Sequence, residues 1–588
     1  MEIAQFRFHV LGAKWEVEAQ AFHENYEALK AKTISEDAFL GMSVLPITRI
    51  CEQITALQRE IRVPDGTGTL VVPRVLERDT IKYSVISILL DLLGDPRKDK
   101  KFKIACLASV TAVTMASGSP TSVFRIFPGV STAIFKVCVG DFKQGKDLTA
   151  LAIGSWSQIV AAVMGDSTQL DVPAEQLAEA RSKVRVMAGN IFSFKHGPPL
   201  LDNYCVRLAL VRAAVLLLDT CPRRLSECAE FFVDAVVLYN NIESDPGSSA
   251  ISVEEEERDG GNEVVRLTED AIQRMGKRIR ERKAADVSED DVLSYLSSLE
   301  ENAENAENST RSQEEQKGGG EFSFAEERFY SLVSLLPRLN ISTLSDEKKL
   351  DTVRLVNGYV KLLSGSLSSM VPVLLEKLAF TLISLLEFDT ALPAELDAKT
   401  SLTAAATKGP SRAGNVVLWR GLQLQNGSGG SGISFAGAST AFLSTSRYPR
   451  HEFRFFGDVR IALELKKTCA LLAGLSGDDS ATALVSLFLE LYADTKNQKV
   501  KNQIVYILIG AVEGIKAELL GEGLVTALIE NVLEATLERF TTCNSSPFYD
   551  TLFSLISELF GKLCVKASLD TLNAVLPKVL YPLLELLG

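Results

Sequence analysis

Residues 203–241 read NYCVRLALVRAAVLLLDTCPRRLSECAEFFVDAVVLYNN, and this stretch decides the fold. Apolar side chains recur at i, i+3, i+4 and i+7 over 203–219 and again over 224–241, which is the period of an amphipathic α-helix. Pro222 and the two arginines after it interrupt the apolar stripe. Because a regular helix does not readily continue through such a segment, the stretch predicts two helices joined by a short turn.

The same pattern extends towards the N-terminus of the chain. Amphipathic stretches alternate with brief polar, Pro or Gly breaks over about residues 10–243. The predicted helices cover 48–62, 79–94, 101–117, 122–139, 147–165, 173–193, 203–219 and 224–241. Paired helices that repeat about every 40 residues are typical of HEAT- or armadillo-like arrays. We therefore predict an all-α solenoid of stacked antiparallel helix pairs.

Length and composition also favour a repeat array. The chain has 588 residues, which is more than one hydrophobic core accommodates. Hydrophobic residues make up 46% of it and aromatic residues only 7%. This balance suits many short amphipathic helices better than β-sandwiches.

Charge divides the chain into regions. Residues 244–321 together with Glu243 hold 22 acidic and 10 basic residues, a net charge of −12 out of −13 for the whole chain. Such a segment buries too little apolar surface to offset its ordering entropy, so we predict a largely disordered acidic insert with short helices near 265–283 and 288–299. The predicted regions are an N-terminal solenoid at 1–243, this insert at 244–321, middle helical repeats at 322–390, a Gly/Ser/Thr-rich linker at 391–448 and further helix pairs at 449–588.

Composition excludes several classes of partner. Outside the insert the chain is close to neutral, so no basic face for a nucleic acid is expected. Nine scattered cysteines without a CxxC motif are typical of reduced, buried thiols. We find no N-terminal signal peptide and no apolar run approaching the roughly 20 residues of a membrane span. We expect a soluble protein of the cytoplasm, with the nucleus as an additional location, and no membrane partner.

One stretch resembles a phosphate-binding loop. Residues 140–147, GDFKQGKD, match its spacing up to the last position. The loop requires Ser or Thr after the lysine to hold magnesium, whereas Asp147 places a carboxylate there. The preceding residues 123–139 fit a helix at least as well as a strand, so we interpret the stretch as a connector between helices. The GxGxxG match at 427–432 lies in low-complexity sequence, and we interpret it as a linker.

Other chemistry-bearing patterns are sparse. The four histidines have no partners at metal-ligand spacing, and HExxH and GxSxG are absent. We therefore predict a protein that is not an enzyme and has no catalytic, cofactor-binding or metal-binding residues. The basic cluster KRIRERK at 277–283 is either a nuclear-import signal or the solvated face of a helix. Ser252 and Ser288 precede acidic residues, which makes them candidate sites for an acidophilic kinase.

Five ordered regions of the sequence closely resemble the Tel-two-interacting protein one family. They are FPGVSTAIFKVCVGDFKQG at 127–145, VRLALV at 206–211 with LLLDTC at 216–221 and LSEC at 225–228, LPRL at 336–339, GYVKLL at 358–363, and FRFFGDVR at 453–460. Within two of these regions we select polar and aromatic residues as candidate interaction residues: Asp141, Phe142, Lys143, Gln144, Arg454 and Asp458. The phenylalanines at 127, 135, 455 and 456 are expected mostly in the core.

The resemblance implies a scaffold that joins the Tel-two protein and Tel-two-interacting protein two in the Triple T complex. With the ninety-kilodalton heat-shock chaperone machinery, that complex matures phosphatidylinositol-3-kinase-related kinases of TOR and DNA-damage signalling. Members of this family usually continue with further helical repeats, so we expect this sequence to correspond to the N-terminal and middle parts. The alternatives are a karyopherin-like transport receptor or another generic protein-interaction solenoid, and then a phosphate-loop ATPase.

Overall fold

The computed structural model describes residues 2–60, 79–117, 120–140, 145–193, 201, 203–243, 255–286, 324–341, 344–367, 371–387, 453–475, 478–540, 547–575 and 577. Over these residues the fold is an all-α solenoid, as the sequence predicts. It divides into two compact units, Met1–Ala325 and Glu326–Gly588, which are called unit 1 and unit 2 below.

Apart from α2, which is a single turn, unit 1 is built from helices of about four to nine turns. They are α1 (Glu2–Lys30), α2 (Glu36–Phe39), α3 (Leu45–Glu60), α4 (Asp79–Gly94), α5 (Lys100–Ala116), α6 (Pro120–Cys138), α7 (Lys146–Met164), α8 (Ala174–Ile191), α9 (Tyr204–Thr220), α10 (Ala229–Glu243) and α11 (Glu255–Asp286). A π turn at Leu40–Val44 links α2 to α3.

These helices form two layers. Helices α1, α3, α5, α7 and α9 lie side by side in one layer, and α4, α6 and α8 lie in the other. The layers meet through pairs of helices that follow each other in the chain, such as α4 with α5 and α6 with α7. Each helix thus buries its apolar face only against near neighbours in sequence, as the repeat pattern predicts.

All eight helices predicted between residues 48 and 241 are present. Helix α10 begins later than predicted, at Ala229, because a 3₁₀ turn occupies Ser226–Cys228. Helices that occupy equivalent places in the layer, α5, α7 and α9, begin at Lys100, Lys146 and Tyr204. The repeat is therefore longer and less regular than the predicted 40 residues.

The turn between α9 and α10 is fixed by charged groups. The carboxylate of Asp166 accepts the backbone N–H groups of Arg223 at 2.9 Å and Arg224 at 3.0 Å. The Arg224 guanidinium donates to the carbonyl oxygens of Gly165 at 2.9 Å and Thr168 at 2.6 Å. The two arginines that interrupt the apolar stripe thus tie this turn to the connector that follows α7.

The helix predicted near 265–283 in the acidic insert is present as α11. The structure shows one helix over Glu255–Asp286, longer than the short helix predicted over 265–283. It packs on α9 and α10 through Val264, Ala271 and Met275, which are all buried. These apolar residues follow helical spacing. The acidic and Gly-rich residues around them make the average composition of the insert typical of a disordered segment, so composition alone hides the helix. The predicted helix at 288–299 lies outside the described residues.

Unit 2 has the same construction. Its helices are α12 (Phe324–Leu335, of which the first two residues belong to unit 1), α13 (Asp346–Leu362), α14 (Ser364–Leu367), α15 (Val371–Leu385), α16 (Val459–Leu475), α17 (Asp478–Asp494), α18 (Gln498–Gly514), α19 (Glu522–Phe540) and α20 (Pro547–Lys566). Helices α13, α16, α18 and α20 form one layer, and α15, α17 and α19 form the other.

Glycines let α16 and α18 approach closely. A Cβ atom at Gly510 would lie 2.6 Å from the carbonyl oxygen of Lys466, and one at Gly514 would overlap the backbone of Ala470. Only residues without a side chain permit this backbone contact.

The C-terminal end of α18 is held by Lys566, whose Nζ donates to the carbonyl oxygens of Val512, Glu513 and Ile515.

Helix α7 corrects the sequence-based search for membrane spans. Its 19 residues are long and apolar enough to cross a membrane by length and composition alone. Within unit 1 the helix lies between α5 and α9, and Trp156, Ile159 and Val160 on it are fully buried. A helix that is apolar on all sides and buried in this way is typical of the core of a helical stack.

Candidate interaction surfaces

The first candidate interaction loop lies before α7. Asp141, Phe142, Lys143 and Gln144 fall outside the described residues, so their role stays a prediction. The residues after them are described: Gly145 has φ 84° and precedes the first residue of α7. A Cβ atom there would lie 3.1 Å from Nζ of Lys100. Glycine is needed at this position both for its left-handed backbone and for the approach of Lys100.

The neighbouring charges argue against a phosphate loop. Asp147, at the position where such a loop needs Ser or Thr, forms an ion pair with Lys100 on α5. The hydrogen bond from Lys100 is the main cause that lowers the pKa of the Asp147 carboxyl. The preceding element is helix α6 and not a strand. A carboxylate already paired with a lysine supports the interpretation of a helix connector.

The second candidate region, Phe453–Asp458, is a non-helical strap that precedes α16. Arg454 is bound at two points by Glu387, which follows α15: its N–H donates to the Glu387 carbonyl and its Nη1 to the carboxylate, both at 2.8 Å. From α13, Lys349 donates through Nζ to the carbonyl oxygen of Phe455 at 2.5 Å. These contacts place the strap against α13, with Arg454 largely exposed.

Two carboxylates hold the end of the strap. Asp346 accepts the N–H groups of Gly457 at 2.8 Å and Asp458 at 3.1 Å. Asp458 accepts from the backbone N–H and the guanidinium of Arg460, at distances between 2.7 and 3.1 Å. Burial acts to raise the pKa of Asp458, but the hydrogen bonds from Arg460 outweigh it, so the pKa lies below its ordinary value. Asp458 therefore stays ionised and caps the start of α16.

The aromatic side chains of the strap split between core and surface. Phe453 and Phe456 are buried and stacked with ring centroids 5.1 Å apart, and Tyr506 on α18 packs edge-on against Phe453 at 5.8 Å. Phe455 is half-buried, with the Arg454 guanidinium 5.5 Å above its ring. The expectation of core phenylalanines is confirmed for Phe456 and wrong for Phe455. It is also confirmed for Phe127 in unit 1, whereas Phe135 is half-buried.

Beneath the strap lies a buried polar network that sequence reasoning missed. The Asn357 side chain donates to the Glu464 carboxylate at 2.7 Å and accepts from the Thr468 hydroxyl at 2.7 Å. Arg354 forms an ion pair with Glu464 at 3.5 Å, and both side chains are less than a tenth exposed. This network joins α13 to α16 and so holds in place the helix that follows the strap. Its only signal in the sequence is polar residues on otherwise apolar helix faces.

The outer side of α16 next to the strap carries two exposed apolar side chains. Val459 and Leu463 lie one turn apart and are 37% and 51% exposed. Arg454 and Arg460, each more than half exposed, lie at the strap end of the same helix. An apolar pair beside two arginines is the composition found at protein–protein interfaces, which are enriched in arginine.

The described residues offer little reactive chemistry. Among them, no three His, Cys, Asp or Glu residues are arranged to hold a metal ion. Burial raises the pKa of the Cys221 thiol to about 11 and of the Cys469 thiol to about 12, so both are protonated near neutral pH. The candidate phosphorylation sites Ser252 and Ser288 lie outside the described residues and stay predictions.

Comparison with known proteins decides the family. A model described as the TTI1 N-terminal TPR domain matches residues 83–243, and one described as the TELO2-interacting protein 1 homologue second TPR domain matches residues 326–542. Both models come from one family, and together they span more than half of the chain. The chain belongs to the TELO2-interacting protein 1 family. This is the family that the five sequence motifs resemble.

Curated relatives agree with this assignment. The chain is 24% identical over 579 residues to human TELO2-interacting protein 1 homolog, a match that covers 90% of this chain and 45% of the relative. The mouse homolog is also 24% identical, over 529 residues, covering 81% of this chain and 40% of the relative. The chain thus spans less than half the length of the curated relatives that it matches.

Solved structures give a weaker similarity. A crystal structure of a Kap121p mutant matches 93% of this chain and 46% of its own, at 14% identity and a TM-score of 0.26. Kap121p bound to Ste12p matches 97% of this chain and 55% of its own, at 10% identity and a TM-score of 0.24. Scores this low decide nothing about function.

Proposed function

We propose that this chain is a non-enzymatic scaffold subunit of the Triple T complex, the chaperone-linked adaptor for phosphatidylinositol-3-kinase-related kinases. The observation that supports it most is the ordered match of two family models, one in each unit. The printed name of the curated relatives describes proteins that interact with TELO2. We extend that partner to this chain, together with Tel-two-interacting protein two, the kinases and the ninety-kilodalton chaperone machinery.

The architecture suits such a role physically. A two-layered helix stack offers a long surface on which many weak contacts add up and can later be released. The buried, protonated thiols and the ion-paired Asp147 supply no nucleophile or phosphate site to an enzyme.

We propose a cytoplasmic location. The described part of the basic cluster at 277–283 lies on α11, where Lys277 approaches Glu281 at 3.6 Å and Arg278 approaches Asp219 at 3.8 Å. These contacts favour the solvated helix face over an import signal.

We propose the strap and the outer side of α16 as one partner surface of unit 2. Arg454 and Asp458 are then positioning residues for the strap, and Val459 with Leu463 supply the apolar contact. Contacts near the centre of an interface, where water is excluded, contribute most of the binding energy. A charge placed there should abolish binding without disturbing the fold, because both side chains already face solvent.

Affinity purification of the tagged chain from its own cells tests the proposal. We expect mass spectrometry to identify the Tel-two protein and large kinases. The Leu463→Asp variant should lose the partner that binds unit 2, whereas Val565→Asp, a change at a 73% exposed valine on α20, should keep it. Recovery of transport cargo with a small GTPase and without the Tel-two protein would favour a karyopherin-like receptor instead. Equal recovery with both variants would place the partner surface elsewhere.

A further inference from the structure

Helix α1 has two apolar faces on opposite sides. Phe8, Trp15, Ala19 and Phe22 are buried against the rest of unit 1. On the other side, the apolar residues at positions 6, 10, 13 and 17 all face solvent, and Phe6 and Val17 are 70% and 68% exposed. A helix on the surface of a globular protein normally presents a polar face to water. The outer face of α1 departs from that rule.

The spacing of the exposed face is that of a helix-pairing seam. Phe6, Val10, Ala13 and Val17 follow one another at intervals of four, three and four residues, which is the a/d pattern of paired helices. Towards α3 the seam opens into a groove of about 420 Å³, lined on α1 by Phe6 and Leu11 and on α3 by Ala56 and Leu57. An incoming helix could pack along the seam and insert side chains into this groove.

Charge along one flank of the seam selects the occupant. Arg7 and Lys14 each follow a seam residue, lie two turns apart on the same flank and are exposed. Charged residues that flank a pairing seam set the choice and orientation of the partner. In an antiparallel pair of two α1 helices like flanks meet, so the basic residues would face each other. In a parallel pair Lys14 would face His9 and position 7 would face position 2, a glutamate, so a second copy supplies an acidic counterpart to only one of the two basic residues.

We propose that the outer face of α1 docks an amphipathic helix of another protein, with an apolar seam and acidic residues along the flank that faces Arg7 and Lys14. This surface belongs to unit 1 and is independent of the strap and of the function proposed above. The partner helix would continue the α1–α3 layer as its next member. It would bury the apolar stripe that unit 1 leaves exposed.

The test measures fluorescence anisotropy of designed helical peptides against the full chain. One peptide carries Leu at the a and d positions of three heptads and Glu at e and g, and the second carries Lys in place of Glu. We expect the acidic peptide to bind about tenfold more tightly than the basic one, because two cationic side chains line the docking flank. The double variant Arg7→Glu, Lys14→Glu should reverse the preference.

Two further variants separate the seam from non-specific adhesion. Val10→Ser with Val17→Ser should weaken the acidic peptide about tenfold or more, as loss of a central apolar contact does. Val186→Ser, at a 62% exposed valine on α8, should leave the affinity unchanged. Circular dichroism confirms that each variant folds, since all the altered side chains are exposed.

The other outcomes overturn the proposal. Equal affinity for the two peptides, or binding that survives the loss of Val10 and Val17, would show that the seam does not select an acidic helix. A dimer in light scattering that the Val17→Ser change dissolves would make a second copy the occupant. Binding of the acidic peptide only after residues 61–78 are replaced by a Gly/Ser linker would show that this segment of the same chain fills the groove.

Discussion

Asn357 on α13 donates from one side-chain nitrogen to both the carbonyl oxygen of Glu464, at 3.0 Å, and its carboxylate, at 2.7 Å. Both residues are buried, so this contact fixes α16 against α13 in a single register. The strap leads directly into α16. The position of the candidate surface of unit 2 therefore depends on a buried polar contact that water does not reach.

The first prediction concerns that contact. The change Asn357→Ala leaves the carboxylate of Glu464 and the hydroxyl of Thr468 short of partners, so unit 2 should lose about 3 kcal/mol of unfolding free energy. Hydrogen exchange of peptides from α13 and α16 measures the loss in unit 2 alone, since two units need not unfold together. The matched control is Asn531→Ala, because the exposed Asn531 donates to the carbonyl oxygen of Ala527 on its own helix and not to a buried group of another helix in the described residues. Equal protection in the two variants would contradict the prediction.

The second prediction concerns the strap. The change Asp346→Ala removes the acceptor of the Gly457 and Asp458 N–H groups, so the strap should open more often. Trypsin cleavage after Arg454 should then become about tenfold faster, since proteolysis of a local opening follows its population. Glu347→Ala, a change at the exposed neighbouring residue, should leave the cleavage rate as it is. An unchanged rate in Asp346→Ala would mean that Lys349 and Glu387 hold the strap without it.

The third prediction concerns pH. Glu513 lies 2.8 Å from Lys562 and 3.3 Å from Lys466. Burial acts to raise its pKa, but the two lysines outweigh it and hold the pKa below the ordinary value of 4.5. A lowered pKa in the folded state means that the carboxylate stabilises the fold above pH 4.5. This contribution disappears as the pH falls through the lower folded-state value.

Replacing Glu513 with glutamine tests whether its carboxylate stabilises the fold at neutral pH. At neutral pH Glu513→Gln should cost about 1 kcal/mol of unfolding free energy, and the difference from the parent should close as the pH falls below about 4.5. Urea unfolding at several pH values measures it. Glu530→Gln, at an exposed position of α19, should differ little from the parent at any pH. A stability difference between Glu513→Gln and the parent that grows as the pH falls would contradict the prediction that the Glu513 carboxylate stabilises the fold.

Periodicity alone predicted most of unit 1, and its failures have physical causes. It identified α9 because one face of that helix is apolar and buried. It missed α1, where apolar residues such as Trp15 and Val17 point to opposite sides and blur a single stripe. It underestimated α11 because the acidic and Gly-rich sequence around its buried Val264 suggests disorder.

The candidate surface was predictable only in part. The motif at 453–460 indicated Arg454 and Asp458, and the structure places them at the two ends of one strap. Their partners Glu387 and Asp346 lie 67 and 112 residues away in the chain. No local pattern in one sequence identifies such distant pairs, because they form only when α13 and the residue Glu387 after α15 come to lie against the strap. The same holds for the bond between Asn357 and Glu464.

The fourth prediction concerns the close contact of α16 with α18. A Cβ atom at Gly514 would overlap the backbone of Ala470, and no side-chain rotation relieves a clash with backbone. The change Gly514→Ala should therefore force the helices apart and cost about 3 kcal/mol, near the upper end for an overpacked core. Gly561→Ala is the matched control, because this helical glycine of α20 has no atom within 4 Å of an added Cβ. There alanine should stabilise the chain by up to about 1 kcal/mol, since it restricts the unfolded state. Thermal unfolding of the two variants should thus shift in opposite directions, and a shift of Gly514→Ala to higher temperature would disprove the direct backbone contact.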